Sequence, residues 1–197
     1  YDVLVILANG ETYGGGGIFN LYATVAAGSR WAPYIFVHEL GHSVAALADE
    51  YFTSETAYLP VGERPEPWEA NVTADPTGAK WADLATPGLP RPTPWPKEAF
   101  TKRALELQAQ RKAIRARNGP EREMDELFLL QQREETALLA PLAGQVGAFE
   151  GANYEAQGYF RPQADCVMFS RDEVPFCAAC QRALSRVIDL YAGRPAR

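Results

Sequence analysis

The chain contains only two histidines, His38 and His42, four residues apart with Glu39 beside the first. At about 3.6 residues per helical turn, positions i and i+4 lie nearly one above the other, so on a helix both imidazoles face the same way. The neighbouring residues suit a helix. From Tyr34 to about Leu47, the apolar residues Ile35, Leu40, Val44 and Leu47 fall near one face, and no proline interrupts them. Two imidazoles aimed at one point can hold a zinc ion at the usual Zn–N distance of about 2.0–2.1 Å. Glu39 is then placed to take a proton from water that the metal has made acidic, as in metal-assisted hydrolysis. Gly41 keeps bulk low inside His38-Glu39-Leu40-Gly41-His42.

A catalytic zinc takes three protein ligands and keeps a further position open. With no third histidine, the remaining ligand must be a carboxylate, a cysteine or a tyrosine. Downstream runs Leu47-Ala48-Asp49-Glu50-Tyr51, in which Asp49 is the expected ligand and Glu50 the alternative. Either choice requires the helix to end soon after His42 and the chain to turn back.

Composition narrows the rest. A chain of 197 residues, 47% hydrophobic and 22% charged, is expected to form one folded domain over 1–197. Nineteen Lys and Arg against twenty-five Asp and Glu leave a net charge of −6, which argues against a nucleic-acid partner. No apolar run approaches the roughly 20 residues that span a bilayer. The sequence opens on Tyr1 within an apolar, β-branched run over 1–8, which reads as a buried strand and as a chain truncated at its N-terminus.

Gly14-Gly15-Gly16-Gly17 lacks the Lys-Ser or Lys-Thr of a phosphate loop and reads as a flexible rim. Residues 18–25 form a second predicted strand. The stretch 60–96 reads as long loops packed by Trp68, Trp81 and Trp95, and Asn71-Val72-Thr73 within it is formally a glycosylation sequon. Two helices are predicted over 97–117 and 121–140, with Gly119 closing the first and Pro120 opening the second. Their Lys and Arg residues read as a solvated face, and the hairpin 97–140 as an insertion on the main body. Residues 144–175 look loop-like, and a final helix is expected over about 178–192.

Several segments resemble one family. His38-Glu39-Leu40-Gly41-His42 followed by Leu47-Ala48-Asp49-Glu50-Tyr51 is similar to the bacterial IgA-specific metallopeptidases, a metzincin-like branch of the zincins. Val146 to Tyr154 and Phe176-Cys177-Ala178-Ala179-Cys180 resemble that family too, so the likeness covers most of 1–60 and 144–192. It implies an α/β (α+β) metzincin-like zinc peptidase domain: a twisted mixed sheet, an active-site helix, and a C-terminal subdomain with a methionine turn and terminal helix. It also implies one catalytic Zn2+, protein or peptide substrates, and a secreted, periplasmic or cell-surface location. Metzincins end the active-site helix on a Gly with the third ligand three residues on. Ala46 stands at that position and points to Asp49. Asp165-Cys166-Val167-Met168-Phe169 resembles the methionine turn, with Ser170 where some metzincins carry Tyr. Tyr159 is a candidate for that tyrosine's role.

The three cysteines, Cys166, Cys177 and Cys180, suggest one disulfide from Cys166 to one of the pair, leaving one thiol, with reduced thiols as the alternative. A structural zinc lacks a fourth Cys or His, and a redox role lacks its strand–helix context. The expected reaction is cleavage of an extended peptide lying along 18–25, with zinc on His38, His42 and Asp49, Glu39 as general base and Met168 supporting the site. Two other readings are a zincin of another branch, its third ligand a distant glutamate such as Glu150, and a binding or adhesion module with a vestigial zinc site.

Overall fold

A computed structural model describes residues 2–53, 65–172 and 174–194. The first residues of the 60–96 stretch, 60–64, lie outside the described residues, as does Tyr1. Three strands form a mixed sheet: β1 (Val5–Ala8) runs parallel to β3 (Tyr22–Ala26), and β2 (Gly15–Ile18) pairs antiparallel on the other side of β3. The expected strand 18–25 is therefore two. Asn20 adopts a positive φ of 55°, which short polar side chains tolerate, and the chain reverses there so that Ile18 faces Tyr22. The expectation of a buried first strand also fails: Ile6 and Leu7 are 45% and 65% exposed, and β3 is the neighbour of β1 among the described residues.

The glycine run is ordered strand rather than flexible rim. β2 lies directly on the helix that follows the sheet, α1 (Ala32–Ala45), and glycine is what permits the approach. A Cβ on Gly17 would collide with the carbonyl oxygen of Glu39 and sit 2.8 Å from Cβ of His42. One on Gly15 would run into Ile35 and sit 2.8 Å from the Thr24 carbonyl. Because these obstacles include backbone, Gly17→Ala is expected to push β2 off the helix. The cost is about 1–3 kcal/mol, as for other overpacked sites, read as a lower denaturant midpoint with unchanged slope.

α1 begins with Pro33 in its first turn, where a missing N–H costs nothing. Its inner face, with Trp31 and Ile35, packs with Val25 against the hairpin formed by α2 (Lys97–Ala116) and α3 (Glu121–Leu139), through Leu107, Ile114, Met124, Leu127 and Phe128. Trp31 also donates its indole N–H to Asp125 at 2.9 Å. The basic residues of the hairpin largely pair within it, as Arg103 with Glu134 at 2.6 Å and Arg122 with Glu126 at 3.0 Å. Exposed pairs of this kind add little stability.

Residues 144–163 are not loop. They form an antiparallel ribbon of β4 (Val146–Ala152) and β5 (Glu155–Gln163), whose glycines and aromatic residues obscure any alternation because the strands are mostly buried on both sides. Arg161 of β5 is fully buried. It donates to the carbonyls of Gly151 and Ala164 at 2.7 and 3.0 Å, and stacks between Trp95 and Phe169. Of the three loop tryptophans, Trp81 is fully buried and donates to the Gly147 carbonyl, and Trp95 donates to that of Glu150. Trp68 is 70% exposed and makes a ring contact with Phe19. After a turn over Cys166–Phe169 the described chain ends in α4 (Ala178–Tyr191).

Candidate metal centre

Ala46 closes α1 in the left-handed conformation, φ 51° and ψ 40°, with the amides of Ala46 and Leu47 turned back to the carbonyls of His42 and Gly41. A residue with a Cβ costs roughly 1–2 kcal/mol more than glycine in this geometry. The turn is held from outside. Asn71, fully buried, accepts a hydrogen bond from the Ala48 amide at 2.8 Å and donates to the Ala48 carbonyl at 2.9 Å. The sequon asparagine is thus an internal clamp, and its side chain is not available for glycosylation.

The returning chain brings Asp49 against both histidines. Nε2 of His38 and Nε2 of His42 are 3.1 Å apart, and Oδ1 of Asp49 lies 3.0 and 3.3 Å from them. Tetrahedral coordination at about 2.0–2.1 Å places two ligand atoms about 3.3 Å apart, so the triangle has the dimensions of one face of a zinc site. The ring protons settle which atoms are free. Nδ1 of His38 is 3.0 Å from the Val167 carbonyl and Nδ1 of His42 is 2.5 Å from that of Leu47. A carbonyl only accepts, so each ring carries a proton on Nδ1, which in the neutral imidazole leaves a lone pair at Nε2. With both rings neutral, two lone pairs and a buried carboxylate oxygen converge on one point. That arrangement is repulsive unless a proton on one ring or a metal ion fills it, and the three residues fit a divalent metal.

The remaining site residues surround this triangle. Glu39, half-buried, points into the same cleft and accepts a hydrogen bond from the Gly17 amide. Burial raises its pKa, His38 and His42 oppose the rise, Asp49 adds to it, and the carboxyl ends above its ordinary value. The turn bearing Met168 passes beneath α1: Met168 is fully buried, and its sulfur lies 2.9 Å from where a Cβ on Gly41 would be. The cleft has a volume of about 390 Å³. It is walled by Gly14 and Gly15 on one side and by Phe100, Gln108, Arg111 and Glu135 of the helical hairpin on another.

Other sequence candidates stand elsewhere. Glu50 faces away from the histidines and is fully buried beside the three cysteines, its Oε1 3.5 Å from Sγ of Cys177 and 3.3 Å from Sγ of Cys180. Glu150 pairs with Lys97 at 2.5 Å, and Tyr159 is buried with its hydroxyl on the Pro65 carbonyl. The cysteines form no disulfide. Cys166 and Cys180 approach to 4.0 Å, twice the length of an S–S bond. One site residue escaped the sequence: Tyr154, whose hydroxyl hydrogen-bonds Oδ2 of Asp49 across 105 positions of chain. No local pattern announces so distant a contact.

The arrangement can bind a metal, orient it through carbonyl-anchored histidines and hold a basic carboxylate beside it. No significant match to the chain is found among curated proteins. The family model described as IgA Peptidase M64 matches residues 1–188, and the chain belongs to that peptidase family.

Proposed function

We propose that the chain is a zinc-dependent endopeptidase using His38, His42 and Asp49 as metal ligands, Glu39 as general base and Met168 as the floor of the site. The observation that carries this reading is the triangle of three ligand atoms with edges of 3.0–3.3 Å. Bound zinc supplies Lewis acidity, polarising a carbonyl and acidifying water. The chain does the rest. Glu39 takes the proton of the attacking water and delivers it to the departing amine, and its raised pKa brings it closer to the range where a base also serves as an acid at neutral pH.

Substrate is held by β2. It is an edge strand of its sheet, its Gly15 lines the cleft, and an extended peptide can add beside it through main-chain hydrogen bonds. The docking strand is therefore Gly15–Ile18, not 18–25, whose second half is the central strand β3. Pairing of this kind binds with little demand on side chains, which favours cleavage inside a protein chain.

The test is digestion of casein by the purified protein, with products sequenced. Internal cleavage that stops on treatment with a chelator and returns with zinc is the expected result. A protein that binds zinc and cleaves no protein offered to it would instead be a binding module built on a peptidase fold.

A further inference from the structure

Behind Asp49, on the far side of the chain from the cleft, lies a second cluster of ligand groups. Glu50, Cys166 and Cys180 are fully buried and Cys177 is 2% exposed, and one ligand atom from each of the four lies within 4.8 Å of all the others. We propose that Glu50, Cys166, Cys177 and Cys180 form a structural zinc site, distinct from the site in the cleft, that locks the loop carrying Asp49 to the turn carrying Met168 and to the start of α4.

Distances support a tetrahedron. Zn–S bonds of about 2.3 Å and Zn–O bonds of about 2.0–2.2 Å put two sulfurs about 3.8 Å apart and a sulfur about 3.6 Å from an oxygen. Three of the six edges here are 4.0 Å between Cys166 and Cys180, and 3.5 and 3.3 Å from Glu50 to Cys177 and Cys180, and the other three lie within 4.8 Å. Oε2 of Glu50 is buried without a hydrogen-bond partner. A fully buried carboxylate is costly unless something positive compensates it. Asn71 donates to the other oxygen, Oε1, at 3.0 Å, and the nearby cation Arg161 directs Nη1 and Nη2 to the carbonyls of Gly151 and Ala164, with its Nε buried and unpartnered.

The backbone is arranged for thiolates. Sγ of Cys166 accepts hydrogen bonds from the amides of Met168 and Cys177, at 3.4 and 3.1 Å, and Sγ of Cys177 accepts one from the Cys180 amide at 3.5 Å. Cys177 is the N-cap of α4, so Cys177 and Cys180 both sit at the positive end of that helix dipole. Three thiolates and a carboxylate carry four negative charges. A divalent ion cancels two, and buried Arg161 and the helix terminus offset part of the remainder. Sulfur-rich tetrahedral sites of this kind select zinc.

The position gives the ion a purpose. Glu50 adjoins Asp49, its amide donates to the Met168 carbonyl at 2.9 Å, and Cys166 lies two residues before Met168. Without an ion, burial holds Glu50, Cys177 and Cys180 in their protonated forms, and only weak S–H contacts to Glu50 and between the sulfurs remain where the cleft needs its most rigid support.

The test is made on the whole chain, purified under reducing conditions. Two zinc ions per chain are expected, and the double variant His38→Ala, His42→Ala should retain one. X-ray absorption of that remaining ion should show a sulfur-dominated shell at about 2.3 Å. Should the double variant fail to fold, the wild-type protein gives the same reading, with half as many sulfurs per ion averaged over two sites. Glu50→Cys should keep the ion and add a sulfur. Glu50→Gln should weaken it by more than the roughly 10–100-fold that loss of an outer-shell partner costs. A double variant that folds without metal and titrates three free thiols overturns the proposal, as does a disulfide found by mass spectrometry or iron in place of zinc.

Discussion

Glu39→Gln is expected to retain its zinc and lose peptidase turnover by roughly 10²–10⁴-fold, the range that a positioned acid–base group contributes. The substitution is close to isosteric, and the amide oxygen of Gln can still accept the Gly17 N–H that now holds the carboxylate. Position, packing and the ligand triangle therefore stay as they are. What disappears is basicity, because a carboxamide does not take a proton near neutral pH. Zinc content and substrate binding should match the parent protein while kcat falls. Turnover within a few-fold of the parent would remove Glu39 from the reaction.

The sequence carried the helix and the ligand pattern because both are local. Histidines four apart, an apolar face from Ile35 to Leu47 and the carboxylates soon after can be read within one window of chain. The two helices of the hairpin were legible for the same reason, each with its own apolar stripe and a Gly–Pro boundary between them. Long-range features were not. Gly15 and Gly17 look like a flexible linker until the helix backbone appears against them, and the ribbon of β4 and β5 hides its period because both faces are covered. The preferred disulfide reading failed through the cysteine count. Three thiols suggested a disulfide with one left over, whereas the fold supplies Glu50 as a fourth member from 116 residues before Cys166. Glu50, weighed as the alternative to Asp49, turns to the opposite side toward the cysteines, since adjacency in sequence says nothing about which side of the chain each side chain takes.

That adjacency frames the second large effect. Asp49→Ala is expected to weaken zinc binding in the cleft by well over 100-fold, beyond the roughly 10–100-fold typical of an outer-shell partner, and to abolish cleavage without added zinc. The two histidines remain fixed by the Val167 and Leu47 carbonyls, but two neutral ligands without a carboxylate hold a divalent ion poorly. Tyr154→Phe tests the same ligand one step removed. The Tyr154 hydroxyl occupies Oδ2 of Asp49 and so directs Oδ1 toward the histidines, and its loss should cost roughly 10–100-fold in zinc affinity while leaving the ligand atoms in place. Competition with a chelator measures both. The ordering matters more than either value: Asp49→Ala must exceed Tyr154→Phe, and neither should release a sulfur-bound ion from Glu50 and the cysteines. If Asp49→Ala holds zinc in the cleft as tightly as the parent, the third ligand lies elsewhere. In that case the close approach of Oδ1 to the two imidazoles would be that of a carboxylate paired with a protonated ring, not of a third ligand.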